Sequence, residues 1–180
     1  MAAHPPRVEE FSSIALLGET MNTTNYFPNN ATSVLLNQQI SWEVQVYNHM
    51  GSVQLYQVKV SVTNTTINGM PAGPNATSHT PSQGDMVLET YRVLLNGENW
   101  NLPLQWSITQ ETNGGGITTI QGMKVNNNVV PVGISAVSGK SFRIVIELWS
   151  YDTETHDFIF SFTGNGVLYS VFNQIWFDSA

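Results

Sequence analysis

Apolar and polar residues alternate at every second position along most of this chain, and this periodicity constrains the fold more than any other feature. Between residues 41 and 47, for example, Trp42, Val44 and Val46 alternate with polar residues. Side chains of a β-strand point alternately to opposite faces, so such a segment buries one face and exposes the other. Runs with helical spacing are hard to find. The sequence therefore predicts an all-β domain.

About nine to ten short segments show this strand pattern, with turn-forming residues between them. They are residues 11–17, 41–47, 57–62, 86–95, 104–108, 117–125, 129–135, 142–148, 158–162 and 168–177. This spacing predicts an antiparallel β-sandwich, either immunoglobulin-like or a jelly roll. Alternation does not show which strands are neighbours, so both strand orders stay open. We expect residues 1–10 to form a flexible leader and residues 11–180 a single domain.

Turn residues predict how several of these strands connect. Residues 48–52 and 151–158 each lie between two strand patterns, which predicts two hairpins. Residues 64–85 contain several prolines and glycines, and residues 112–116 contain three consecutive glycines, so both stretches are predicted to be long loops.

The C-terminal third carries apolar residues on both faces of its strands. Val145 and Trp149 lie opposite the apolar face of segment 142–148, and Phe172 and Trp176 do the same in segment 168–177. One interpretation is that these are central strands covered by a long loop or by the N-terminal segment. The other is an exposed aromatic patch that binds a partner or ligand.

Composition excludes several classes of function. Charged residues make up 11% of the chain and only six are Lys or Arg, which is too few for a phosphate-binding surface, so we expect no nucleic-acid partner. The absence of cysteine excludes disulfides and thiolate chemistry. No apolar stretch is long enough to span a bilayer, so we expect membrane contact only through an anchor that this chain does not contain.

No arrangement of residues predicts catalysis, a metal site or a cofactor. The four histidines lack metal-ligand spacing, and no nucleophile elbow is present. Asp152, Glu154 and Asp157 could surround a calcium ion, but a solvated hairpin tip explains them more simply. A carboxylate pair for glycoside hydrolysis depends on distance in space, and nothing in the sequence favours one. We therefore predict a protein that is not an enzyme.

Four sequons for N-glycosylation occur, at Asn22, Asn30, Asn64 and Asn75. A chain with this content of Asn, Ser and Thr contains about three by chance, so their number carries no information. All four lie in or beside predicted loops, where a glycan is tolerated. Together with the Asn- and Thr-rich, Lys-poor composition, this favours an extracellular or cell-surface glycoprotein.

Several motifs resemble one known family. They are residues 47–54, residues 91–94 with Trp100, residues 139–143 leading into residues 147–152, and the closing residues 176–178. In these motifs the chain, from about Phe11 to Phe177, resembles the soluble domain of the archaeal family catalogued as domain of unknown function 1616. The resemblance implies an archaeal cell-surface or exported module with a sandwich-like fold, and it implies no catalytic residues.

These observations lead to three hypotheses of function. The first is a non-enzymatic extracellular module for protein–protein interaction or surface assembly, with a homo-oligomer as one form of that assembly. The second is a carbohydrate-binding module for surface glycans, in which exposed aromatic rings stack on sugars; the candidates are Trp100, Trp149, Tyr169 and Trp176. The third is a fibre subunit that donates residues 8–17 to the sheet of the next copy, unless that segment is simply the first strand of its own sheet.

Overall fold

The computed structural model describes residues 9–64, 73–164, 167–169 and 171–180, and within them it contains thirteen β-strands and one 3₁₀ turn at Pro28–Asn30. The strands are β1 (Phe11–Leu17), β2 (Ser33–Val34), β3 (Ile40–His49), β4 (Gln54–Asn64), β5 (Asp85–Leu94), β6 (Asn99–Gly114), β7 (Ile117–Val125), β8 (Asn128–Val137), β9 (Phe142–Asp152), β10 (Asp157–Ile159), β11 (Phe162–Gly164), β12 (Val167–Tyr169) and β13 (Val171–Ser179).

These strands form two sheets that share one core. One sheet has five strands in the order β1-β3-β6-β7-β8. The other has the order β2-β13-β9-β4-β5, with β10 also paired to β9, and β11 and β12 form a separate pair. The pairs are antiparallel except β2 with β13. The predicted all-β antiparallel sandwich is confirmed, and its strand order is now defined.

The strand count exceeds the predicted nine to ten for two local reasons. Residues 158–162 divide into β10 and β11, and residues 168–177 divide into β12 and β13. In addition, the two-residue strand β2 is too short to show alternation. Residues 1–8 lie outside the described residues, so the flexible leader stays a prediction.

Two connections differ from the predicted ones. Residues 48–52 do not form a hairpin, because β3 and β4 belong to different sheets and the chain crosses between them. Residues 112–116 are not a long loop: Gly114 pairs with Ile117, and only Gly115 and Gly116 form the turn between β6 and β7. Both glycines have positive φ, as a two-residue hairpin turn requires. The predicted hairpin of residues 151–158 is confirmed by the pairing of β10 with β9.

Aromatic side chains from both sheets meet in the core. Trp42 packs against Trp106 with 5.3 Å between ring centroids, and Trp106 packs against Phe177 at 5.1 Å. Trp42 and Trp106 belong to the five-stranded sheet and Phe177 to the six-stranded sheet. Burial of such large apolar side chains is the main force that holds the two sheets together.

Three polar side chains join the sheets along their open sides. Asn173 on β13 donates to the carbonyl of Ile14 on β1, with an N to O distance of 3.0 Å. On the opposite side, Asp85 accepts from the backbone N–H of Gly133 on β8 at 2.6 Å, and Asn64 donates to a carbonyl of β8. These bonds satisfy one backbone group of the edge strand β1 and two of the edge strand β8 within the chain.

Candidate interaction surfaces

The structure buries two of the four aromatic residues predicted to bind a ligand. Trp149 is 2% exposed and Trp100 is also buried, so neither presents a ring face to solvent. Trp176 is 36% exposed and remains a candidate. The side chain of Tyr169 lies outside the described part of the structure. The prediction of an exposed aromatic patch is therefore corrected at Trp100 and Trp149.

Trp149 is buried because other segments cover the outer face of β9. The indole N–H donates to Glu147 at 2.8 Å, and the other Glu147 oxygen accepts from the N–H and hydroxyl of Ser82. The ammonium of Lys59 lies 3.8 Å from the centroid of the Trp149 ring, and the ring of Phe160 packs beside it at 5.6 Å. The first interpretation of the apolar outer face, a central strand under a loop, is correct for β9.

The acidic residues of the β9–β10 hairpin stabilise their own turn. The Asp152 carboxylate accepts from the N–H groups of Thr155 and Glu154, both at 2.8 Å. The bond from Thr155, and to a lesser extent that from Glu154, lowers the pKa of Asp152 below its usual value. Among the described residues, no group of His, Asp and Glu side chains is arranged to hold a metal ion.

The end of the six-stranded sheet carries an exposed apolar surface, here named the β5 face. It consists of Val53, Tyr91, Val93 and Leu95, all more than half exposed. Tyr91 pairs with Gln57 and Val93 with Leu55, so these side chains point away from the core. Leu94 between them is fully buried. Leu94 thus packs into the core, whereas Val93 and Leu95 on either side of it stay exposed.

Neighbouring side chains hold the β5 face in place. The Tyr91 ring packs against Phe158 with 5.4 Å between centroids, and Phe158 packs against Tyr151 at the same distance. The Tyr91 hydroxyl donates to Glu89, which also accepts from Gln57. This bond to a carboxylate raises the pKa of Tyr91.

A second surface, the Trp176 groove, lies where β13 meets the segment between β1 and β2. It has a volume of about 290 Å³ and is lined by Tyr26, Phe27, Asn30, Thr32, Gln174 and Trp176, among others. The segment between β1 and β2 is held against the core, because Trp42 donates its indole N–H to the carbonyl of Tyr26 at 2.5 Å. The Tyr26 hydroxyl donates to the carbonyl of Leu16 at 3.2 Å.

The four sequons have different surroundings. Asn30 and Asn75 are exposed, and Asn22 is half-buried with its amide oxygen bonded to its own turn. Asn64 is the last residue of β4, and its amide nitrogen, the atom that a glycan would occupy, donates to Ser135. Glycosylation at the four positions stays a prediction.

The sequence does not reveal the β5 face or the residues that line a groove together with Trp176. The alternation of Tyr91, Val93 and Leu95 places these residues on one side of a strand, but it does not reveal whether that side is covered. For Gln174 and Asn30, no sequence signal indicates that they line one groove, because 144 positions separate them.

No family model matches the chain. Lateral flagellar hook-associated protein 2 of Vibrio parahaemolyticus is 28% identical to it over 138 residues. The match covers 72% of this chain and 27% of the relative, so the chain spans about a quarter of that protein's length.

Solved structures match the chain at low sequence identity. The CARDB domain of a Pyrococcus furiosus protein is 14% identical, with 97% of both chains covered and a TM-score of 0.42. Spo0M, a sporulation control protein of Bacillus subtilis, is 8% identical, with 93% of this chain and 49% of that chain covered and a TM-score of 0.37. No helix within the described ranges is both long and apolar enough to span a membrane.

Proposed function

We propose that this chain is a non-enzymatic module of an extracellular or cell-surface assembly and that it associates with a second copy of itself through the β5 face. The observation that carries the proposal is the group of four exposed apolar side chains at the free edge of a sheet. Tyr91, Val93 and Leu95 alternate along one side of the chain, and a group of exposed apolar side chains is a feature of interaction sites in soluble proteins.

The edge strands of the two sheets differ, and the difference favours β5 over β1 and β8 as the place where a second copy binds. Side chains from the facing sheet bond to β1 and β8, and β8 also contains Pro131, which cannot donate to a neighbouring strand. The ten-residue strand β5 has no strand beyond it among the described residues. A long edge strand exposes a row of N–H and C=O groups with which another strand can pair.

A second copy is the occupant that best fits this edge. The β5 strand of another molecule offers the complementary row of N–H and C=O groups, and a two-fold axis would bring the two apolar faces side by side. Arg92 lies 3.7 Å from Glu98, so these two opposite charges beside the β5 face offset each other. This limits the repulsion expected between chains of net charge −7.

The placement at a surface draws support from the Vibrio relative, whose name is that of a flagellar hook-associated protein. The archaeal origin that the family resemblance implies stays a prediction. In the described structure β1 completes its own sheet, so assembly by strand exchange would first require β1 to leave β3.

The proposal is tested by measuring mass with light scattering after size-exclusion chromatography over a range of concentrations. We expect the unmodified chain to dimerise. Val93→Lys should raise the dissociation constant at least about tenfold, because it places a charge within the apolar contact. Val93 is 56% exposed, so the substitution should leave the fold intact.

Val129→Lys is the matched control, since Val129 is 72% exposed but lies on β8 of the other sheet. It should leave the dimer unchanged. A chain that stays monomeric at every concentration, or a dimer that Val93→Lys does not weaken, would contradict the proposal.

A further inference from the structure

The Trp176 groove is lined by uncharged groups, although a cation lies over the ring of Trp176. None of the described residues that line it is charged. Arg143 is the cross-strand partner of Trp176; its guanidinium lies over the Trp176 ring, 5.3 Å from the centroid, and its side chain is buried. A ligand in the groove therefore meets aromatic rings, amides and hydroxyls rather than ionic groups.

Gln174 is oriented by that buried arginine. Its amide oxygen accepts from Arg143 at 2.9 Å. Because the oxygen is engaged, the NH₂ of Gln174 is left to donate to another group. A side chain held in this way loses little conformational entropy when it binds.

Trp176 provides a flat apolar surface beside this donor. The face of an indole ring carries partial negative charge and attracts the weakly positive C–H groups of a sugar ring. The groove volume of about 290 Å³ is near the lower end of small-molecule sites, roughly 300 Å³, and suits a ligand of monosaccharide size. The underlying segment is already fixed by its bonds to Trp42 and Leu16, so little ordering is needed on binding.

We propose that the Trp176 groove binds a neutral saccharide, with the ring of Trp176 stacked on one sugar and the amide of Gln174 donating to a hydroxyl. This site is separate from the β5 face and does not depend on self-association. A saccharide could come from outside the chain or be linked to Asn30, which lines the same groove. The shared chemistry is a sugar ring, and the host in which the protein is produced distinguishes the two sources.

The experiment uses the chain produced in a host without N-glycosylation and probes it with an array of neutral and sialylated oligosaccharides. The tightest neutral glycan is then titrated while tryptophan fluorescence is recorded. We expect Trp176→Ala and Gln174→Ala to weaken binding at least about tenfold and Trp176→Phe to weaken it less. The same chain glycosylated at Asn30 should bind the free glycan more weakly.

Phe172→Ala is the control, because Phe172 is exposed on the same face of β13 but does not line the groove. It should leave binding unchanged. Thermal unfolding of each variant shows whether it is folded, and Gln174→Ala carries the test if Trp176→Ala is not. The proposal is overturned if no neutral glycan binds, if sialylated glycans bind better, or if the control weakens binding as much as Gln174→Ala.

Discussion

At the scale of single residues, Asn48 bonds through both its amide nitrogen and its amide oxygen at the point where the chain crosses between sheets. Its side chain is fully buried. The amide nitrogen donates to the carbonyls of Ser52 at 2.9 Å and Leu94 at 3.0 Å. The amide oxygen accepts from the N–H of Met50 and the hydroxyl of Tyr56. One residue thereby positions the crossing from β3 to β4 next to the end of β5.

Asn48→Ala should lower the free energy of unfolding by roughly 3 kcal/mol, because it leaves several buried donors and acceptors without partners. Urea unfolding measures this loss. The control is Asn96→Ala, which removes one exposed bond to the N–H of Gly51 and should cost less than about 1 kcal/mol. Equal losses in the two variants would show that the buried contacts of Asn48 contribute little.

Tyr56 causes the free energy of unfolding to decrease at high pH. Burial raises the pKa of its hydroxyl from 10.0 to about 12, partly offset by the bond to Ser12. The folded state thus disfavours the tyrosinate, so this contribution is fully present below pH 10 and is lost between about pH 10 and 12. Tyr56→Phe should remove that pH dependence while lowering stability at neutral pH. Urea unfolding from pH 8 to 12 measures the free energy of unfolding of both proteins. An equal decrease with pH in the two would show that Tyr56 is not its source.

At the scale of elements, the tight turns of the five-stranded sheet depend on left-handed backbone conformations. Gly116 has a φ of 77° and Asn127, in the next turn, a φ of 70°. Such turns match the twist of the strands they join, which sets the register of the β6–β7–β8 meander.

Gly116→Ala should lower the free energy of unfolding by about 1 kcal/mol, because a residue with a Cβ is strained at that φ. Gly114→Ala is the matched control: Gly114 lies two positions earlier, does not have positive φ, and a Cβ there would meet nothing within 4 Å. It should be neutral or slightly stabilising. Chemical denaturation of both variants checks the difference, and a loss at both positions would rule out the conformational explanation.

At the scale of the whole molecule, the sequence predicts the elements better than their assembly. Alternation gives β1 and β7 with the same bounds that the structure has, because strand periodicity is local. It does not assign β3 and β4 to different sheets, since that depends on contacts of Asn48 with residues far along the chain. The burial of Trp149 likewise depends on Ser82, whose contact with Glu147 spans 65 positions.

The same limit applies to the two proposed surfaces. The sequence identifies Trp176 as a candidate because it lies on the outer side of an apolar strand. It does not identify Gln174 or the β5 face, because exposure and shared position arise only when distant segments pack. Sequence patterns therefore separate inward from outward residues but do not distinguish covered from uncovered outward ones.

The position of β13 within its sheet has a consequence for the rate of folding. This strand lies between β2 and β9 and pairs with both, and its pairing with β2 joins Asp178 to Ser33, 145 positions earlier in the chain. The six-stranded sheet cannot close until these distant segments have met. Such non-local closure is slow compared with local folding. We therefore expect the pairing of β2 with β13, rather than the local β6–β7–β8 meander, to limit the folding rate.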